Sequence, residues 1–205
     1  MAEQVSGTEG YADEAEALLA RYESLSAAEV HRAVLHLLPA APADVLDIGA
    51  GTGRDAAWFA SLGHQVVAVE PTEMLRARAR ALHASPSITW VDDSLPDLAV
   101  LRARIQQFDL VMLTAVFMHL DQDQRIQAMP NIAGLLAPGG RLIMRLRHGP
   151  VPQGRRMFEV PADEVIAMAA SQGLTAIFNH HGEASGAQNR RDGVTWTTVA
   201  FAKPA

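Results

Sequence analysis

The chain has 205 residues, 49% of them hydrophobic and 20% charged, a balance that suits one globular domain with a substantial core. Its net charge of −6 gives no general attraction to a polyanion, so nucleic acid is not an expected partner. Cysteine is absent, which excludes disulfides, thiolate nucleophiles and Cys-ligated zinc. The opening Met1-Ala-Glu-Gln-Val-Ser-Gly7 has no basic region followed by an apolar one, and every apolar run stops short of bilayer length. A cytoplasmic protein without a membrane partner is the expectation.

From Tyr11 to Leu38 the pattern is helical, with Ala15, Leu18, Leu19 and Tyr22 on one stripe and Val30, Val34, Leu35 and Leu38 on another. Ser26 and Glu29 have capping-box spacing, which predicts a break between two helices there. Strand and helix signals then alternate. Strands are expected at Asp44–Ile48, Gln65–Val69, Ile88–Val91, Phe108–Leu113 and Arg141–Leu146. Helices are expected at Arg54–Leu62, closed by Gly63, at Glu73–His83 with its arginines on the outer face, at Gln122–Leu136 and at Ala162–Gln172. Leu174–Asn179 and the β-branched run Val194–Ala202 are the last two strands. A loop of about a dozen residues joins them, too short and unpatterned for a helical crossover, so the return is antiparallel. The expectation is an α/β domain with a doubly wound, seven-stranded, mostly parallel sheet, one antiparallel strand near its edge and helices on both faces. Residues 1–42 form a helical N-terminal lid on a core of 43–205.

Gly49, Gly51 and Gly53 follow the first strand at every second position, and a helix starts at Arg54. Such a loop lets a ligand approach the backbone and aims helix N-terminal amides at it. A dinucleotide loop wants glycine where Arg54 stands, and no Gly-Lys-Ser/Thr follows for a P-loop.

Val45-Leu-Asp-Ile-Gly-Ala-Gly-Thr-Gly53 resembles the first motif of class I S-adenosylmethionine-dependent methyltransferases, and further matches follow in order to about Arg147. The resemblance implies a Rossmann-like fold, S-adenosylmethionine as cofactor and S-adenosylhomocysteine as product. It implies that Asp47, Gly49, Ala50, Gly51 and Gly53 surround the methionine moiety, and that Glu70, followed by Pro71, binds the ribose. A carboxylate can accept both hydroxyl hydrogens of a cis-diol. It places Met74 against the adenine, Asp93 or its neighbour Asp92 with Ser94 at the adenine amino group, and the backbone of Thr114 and Ala115 facing the cofactor. Leu136-Ala-Pro-Gly-Gly-Arg-Leu-Ile143 matches the family's turn into the fifth strand. Blander roles compete with each of these. Asp47 could hold the loop amides, Glu70 could be an exposed strand-end charge, Met74 could be core, and Asp92 and Asp93 are common turn formers.

In that family the acceptor lies over the ends of the fourth and fifth strands. His119 and Tyr22 are the catalytic candidates there, against the alternatives of a helix-capping histidine and an apolar anchor. Arg21 is a candidate partner of the cofactor's carboxylate. Arg145 and Arg147 share a strand face, and with His148, Arg155 and Arg156 they point to a small anionic acceptor, unless they pair with Glu159, Asp163 and Glu164. His180 and His181 face opposite sides of a strand, so no metal clamp is expected. The expected function is methyl transfer to a small, anionic acceptor, with a non-catalytic protein that senses or sequesters the cofactor as the alternative. The atom methylated and the oligomeric state are not set by these motifs.

Overall fold

The computed structural model of the chain describes residues 5–183 and 191–205. Residues 184–190, within the expected last loop, lie outside the described residues, as do the first four. Seven strands form one sheet in the order β3-β2-β1-β4-β5-β7-β6. They are β1 (Asp44–Ile48), β2 (Gln65–Val69), β3 (Ile88–Val91), β4 (Phe108–Thr114), β5 (Leu136–His148), β6 (Thr175–Glu183) and β7 (Thr195–Ala202). The first five pair in parallel, while β7 runs antiparallel to both β5 and β6. The reversed strand is therefore second from the edge, as its short connection requires. In β1 and β2 one exposed residue precedes four buried ones, the pattern of strands covered on both faces.

Helices cover both faces. On one side α3 (Arg54–Ser61) packs Ala56 and Phe59 on Val45, Val66 and Leu110, joined by Val34 from the 3-10 turn Arg32–Leu37. On the other, α5 (Ala99–Ala103), α6 (Gln122–Gly134) and α7 (Ala162–Ser171) bring Leu101, Ile132 and Val165 to Val111, Leu142 and Phe201. Ahead of the sheet, α1 (Ala15–Glu23) and α2 (Ala27–Val30) break at Ser26, whose side chain accepts the Glu29 N–H. Between β2 and β3 lies α4 (Glu73–Leu82). No helix among the described residues is long and apolar enough to cross a membrane.

Three features depart from the sequence pattern. The first helix starts at Ala15 rather than Tyr11, and the second gives way to the 3-10 turn. The five-residue α5 carried no legible signal; the Asp93 carboxylate accepts the Leu101 N–H within it. Ala137-Pro-Gly-Gly140 lies inside β5, where the register with β4 shifts, rather than in a turn before the strand.

The chain winds outward from β1 to β3 and then crosses back to β4. The crevice above β1 and β4 is thus the topological switch point, where open α/β sheets bind ligands.

Candidate functional site

A cavity of about 360 Å³ lies over the C-terminal ends of β1, β2, β4 and β5. Its floor is the loop after β1. The Gly49 and Ala50 N–H groups both donate to the Val69 carbonyl at 2.8 Å, which ties the loop to the end of β2. Gly49 has φ +72°, and a Cβ there would stand 2.5 Å from Val116, so only glycine lets the two strand ends close. Gly53 has a different job. It lies outside the cavity wall, and a Cβ there would meet the Trp90 ring at 2.7 Å.

Two carboxylates flank the floor. Glu70 is buried at the end of β2, where its Oε2 accepts the Gly51 N–H at 2.9 Å and its Oε1 the Thr72 N–H at 2.8 Å. Burial pushes this carboxyl up, and the amides of Thr72 and Gly51 work against the shift. Asp47 is buried too, and its Oδ2 has no hydrogen-bond partner among the described residues. Burial, then the neighbouring Asp55, drives its carboxyl well above the usual range. The Gly49 and Ala50 amides go to Val69, that of Gly51 to Glu70 and that of Gly53 to the Ala50 carbonyl, rather than to Asp47.

Asp55 sits in a buried cluster. Its Oδ2 pairs with His31 Nε2 at 2.8 Å and its Oδ1 with the Arg54 guanidinium at 2.7 Å, while the His31 ring stacks on Trp58. Burial raises this carboxyl, but the charges and hydrogen bonds of His31 and Arg54 outweigh burial and hold it far below the ordinary range.

At the far wall, Asp93 and Ser94 line the cavity and Asp92 does not. Asp92 is exposed and pairs with Arg76, which also donates to the Glu70 carbonyl, so this arginine turns inward rather than to the outer face of α4. Met74 is half exposed and off the cavity, because Leu75 and Ala79 form the buried stripe of α4; Leu75 lines the wall instead. Pro71, Thr114 and Ala115 complete this part of the lining.

Over the cavity lie residues from α1 and the segment before it, among them Tyr11, Leu18, Arg21 and Tyr22. Thr52 of the loop donates to Glu23 at 2.6 Å, fastening α1 to the floor. His119, on the 3-10 turn Phe117–His119, is buried at the edge of this roof. Its Nδ1 lies 2.9 Å from the Arg156 carbonyl, which can only accept, so Nδ1 carries the proton. Its Nε2 is then the acceptor for the Tyr11 hydroxyl at 2.9 Å. Burial pushes the His119 imidazole below its ordinary value, and the Arg155 guanidinium adds to the shift.

Arg155 stacks over the Tyr11 ring at 4.0 Å and pairs with Glu14, while Arg156 pairs with Asp121 and donates to the His119 carbonyl. Both clamp the roof. Arg145 and Arg147 line the cavity together, as alternate residues of β5. His148 falls on the opposite face, held by Glu159 at 2.6 Å and Thr197 at 2.9 Å. Arg155 and Arg156 pair with Glu14 and Asp121 rather than with the expected Glu159, Asp163 or Glu164, and Glu164 pairs with Arg125. No group of three or more His, Asp or Glu placed to hold a metal occurs among the described residues.

Tyr11, His31, Asp55 and Trp196 were not legible as site residues. Tyr11 and His119 are 108 positions apart, and no spacing rule links them. Trp196 read only as one more β-forming residue, although strand alternation across from Arg147 would have placed it.

Residues 45–140 match the family model described as a methyltransferase domain. An uncharacterized methyltransferase of Mycobacterium tuberculosis is 36% identical over 109 residues, which is 52% of this chain and 40% of the relative. The chain thus spans well under two thirds of the length of that curated relative. Among solved structures, the N-methyltransferase NodS from Bradyrhizobium japonicum, in complex with S-adenosyl-L-homocysteine, superposes with a TM-score of 0.69 at 19% identity, covering 94% of this chain and 100% of that one. A TehB-like SAM-dependent methyltransferase from Corynebacterium glutamicum also gives 0.69, at 24% identity, covering 93% of this chain and 98% of its own. At these identities the two structures speak for the fold.

Proposed function

We propose that the chain is a class I, Rossmann-like methyltransferase that binds S-adenosylmethionine above its glycine loop and methylates a small, anionic acceptor. The observation that carries this reading is the pair of buried carboxylates flanking the loop. Each Glu70 oxygen accepts one amide, which leaves a lone pair on each for the ribose diol. The unpartnered Asp47 Oδ2 suits a donor at the cationic amino end of the methionine moiety. Asp93, Ser94 and Leu75 would form the adenine wall, and residues before Pro42 the lid. When bound, the cofactor supplies a methyl group on a sulfonium that an aligned lone pair displaces.

The chain's own residues then align the acceptor and receive its proton. An acceptor X–H would donate to the Tyr11 oxygen. As X takes the methyl group, its proton passes to that oxygen and Tyr11 passes its own to His119 Nε2. Burial lowers the His119 pKa, so this imidazole stays neutral to lower pH than an ordinary histidine. Protonation would close this route, so activity should persist as pH falls through the ordinary histidine range near ~6.5 and decline only below it.

The test is methyl transfer from labelled S-adenosylmethionine to a metabolite extract, with the product identified by mass. Tyr11→Phe keeps the ring under Arg155 and removes the hydroxyl. It should lower product formation by about a hundred-fold, the low end for a proton-transfer group, and leave cofactor affinity unchanged. Wild-type turnover with weakened cofactor binding would make the hydroxyl a latch of the lid only.

A further inference from the structure

At the β5 end of the cavity three neighbouring strands present polar groups to one another. Thr114 of β4 pairs in register with Arg145 of β5, and Arg147 of β5 with Trp196 of β7. All four line the cavity. The Arg145 guanidinium lies 4.3 Å over the Trp196 ring, which fixes the indole against the sheet. Arg147 reaches the Pro150 carbonyl at 2.9 Å, which holds its stem in place at the rim.

Two of these side chains end in buried polar atoms. Trp196 Nε1 and Thr114 Oγ1 have no hydrogen-bond partner among the described residues. An indole N–H can only donate, and so can both guanidiniums. Buried donors of this kind persist in native proteins when water or a ligand completes them. Trp196 Nε1 therefore requires a lone pair from its ligand, and the two guanidiniums beside it carry positive charge. An ammonium group has no place among them. The same cavity is also lined by the apolar side chains of Val116, Met118, Leu120 and Met157, which suit an apolar body attached to the charged group.

We propose that Trp196, Thr114, Arg145 and Arg147 form an oxyanion subsite that binds the carboxylate or phosphate of an acceptor with an apolar body. This rests on the methyltransferase reading and narrows its substrate class. The subsite holds the acceptor by its charged end and leaves the other end beneath Tyr11 and His119. Trp196 contributes specificity through a single N–H, and Arg147 contributes charge.

The experiment titrates the protein, saturated with S-adenosylhomocysteine, with benzoate, phenyl phosphate, benzamide and benzylamine, reading heat and tryptophan fluorescence. Benzoate or phenyl phosphate should bind at least about tenfold tighter than benzamide, the scale of one charge-assisted hydrogen bond, and the preferred anion tells carboxylate from phosphate. Benzylamine should not bind. Trp196→Phe removes the indole N–H and leaves a smaller aromatic ring beneath Arg145. It and Arg147→Ala should each weaken the anion about tenfold, with S-adenosylhomocysteine affinity unchanged. Equal binding of benzamide, failure of both anions to bind, or variants that bind them like wild type would overturn the subsite. Failure of S-adenosylhomocysteine to bind would instead count against the methyltransferase reading, and the same titration on the unloaded protein would still read the anion site.

Discussion

Replacing Glu70 with alanine is expected to weaken S-adenosylmethionine binding by at least about a hundred-fold. The reason is the number of hydrogen bonds that meet on this one carboxylate. Hydrogen bonds to a charged group contribute ~1.5–3 kcal/mol each, and two from the ribose would be lost together. The substitution also strands the Gly51 and Thr72 amides, which Glu70 now holds at 2.9 and 2.8 Å. The glycine loop should therefore loosen, and some stability should go with it. Calorimetric titration of the variant, beside its unliganded melting temperature, separates the two effects. A variant that melts like wild type and still binds the cofactor normally would show that Glu70 is a loop clamp alone.

The second large effect is on stability. Asp55→Ala should cost about 3–5 kcal/mol, the usual result of removing one partner from a buried ion pair. His31 and Asp55 have side chains only 1% and 6% exposed, so neither His31 nor the nearby Arg54 charge regains full hydration when the carboxylate goes. The pH dependence follows from the same cluster. The folded-state carboxyl is held well below its unfolded value, so its stabilisation is complete above the ordinary aspartate range. It is lost as pH falls below that range toward the folded-state value. Denaturant unfolding of Asp55→Ala and Asp55→Asn at neutral and acid pH checks both points. Asparagine can keep one hydrogen bond and should lose less. If Asp55→Ala unfolds within about 1 kcal/mol of wild type, the cluster does not stabilise the fold in this way.

Much of this architecture was legible because parallel strands advertise themselves. Asp44–Ile48 and Gln65–Val69 fall where the apolar runs put them, and the short return before Thr195 reversed the last strand. The misses come where contacts across the fold outweigh local pattern. Ala137-Pro-Gly-Gly140 reads as a turn, yet Leu136 already pairs with Phe108, and the strand absorbs the glycines in a bulge. Met74 and Leu75 differ by one position, and only the packing of α4 on its neighbours decides which meets the cavity. The same holds for the roof. Tyr22 was visible as a helix residue, but Tyr11 reaches His119 from a turn that no periodicity marks. Arg155 and Arg156 looked like substrate ligands in sequence, whereas Glu14 and Asp121 occupy them in the fold.

The glycine loop by itself suits several nucleotide cofactors. Thermal unfolding of the protein with S-adenosylmethionine, S-adenosylhomocysteine or NAD in turn tests the choice directly. At a hundred-fold excess over Kd a ligand adds about 2.7 kcal/mol, which for a domain of this size raises the melting temperature by roughly 5–10 °C. The two sulfur compounds should produce that rise and NAD none. A rise with NAD alone would contradict the account at its base.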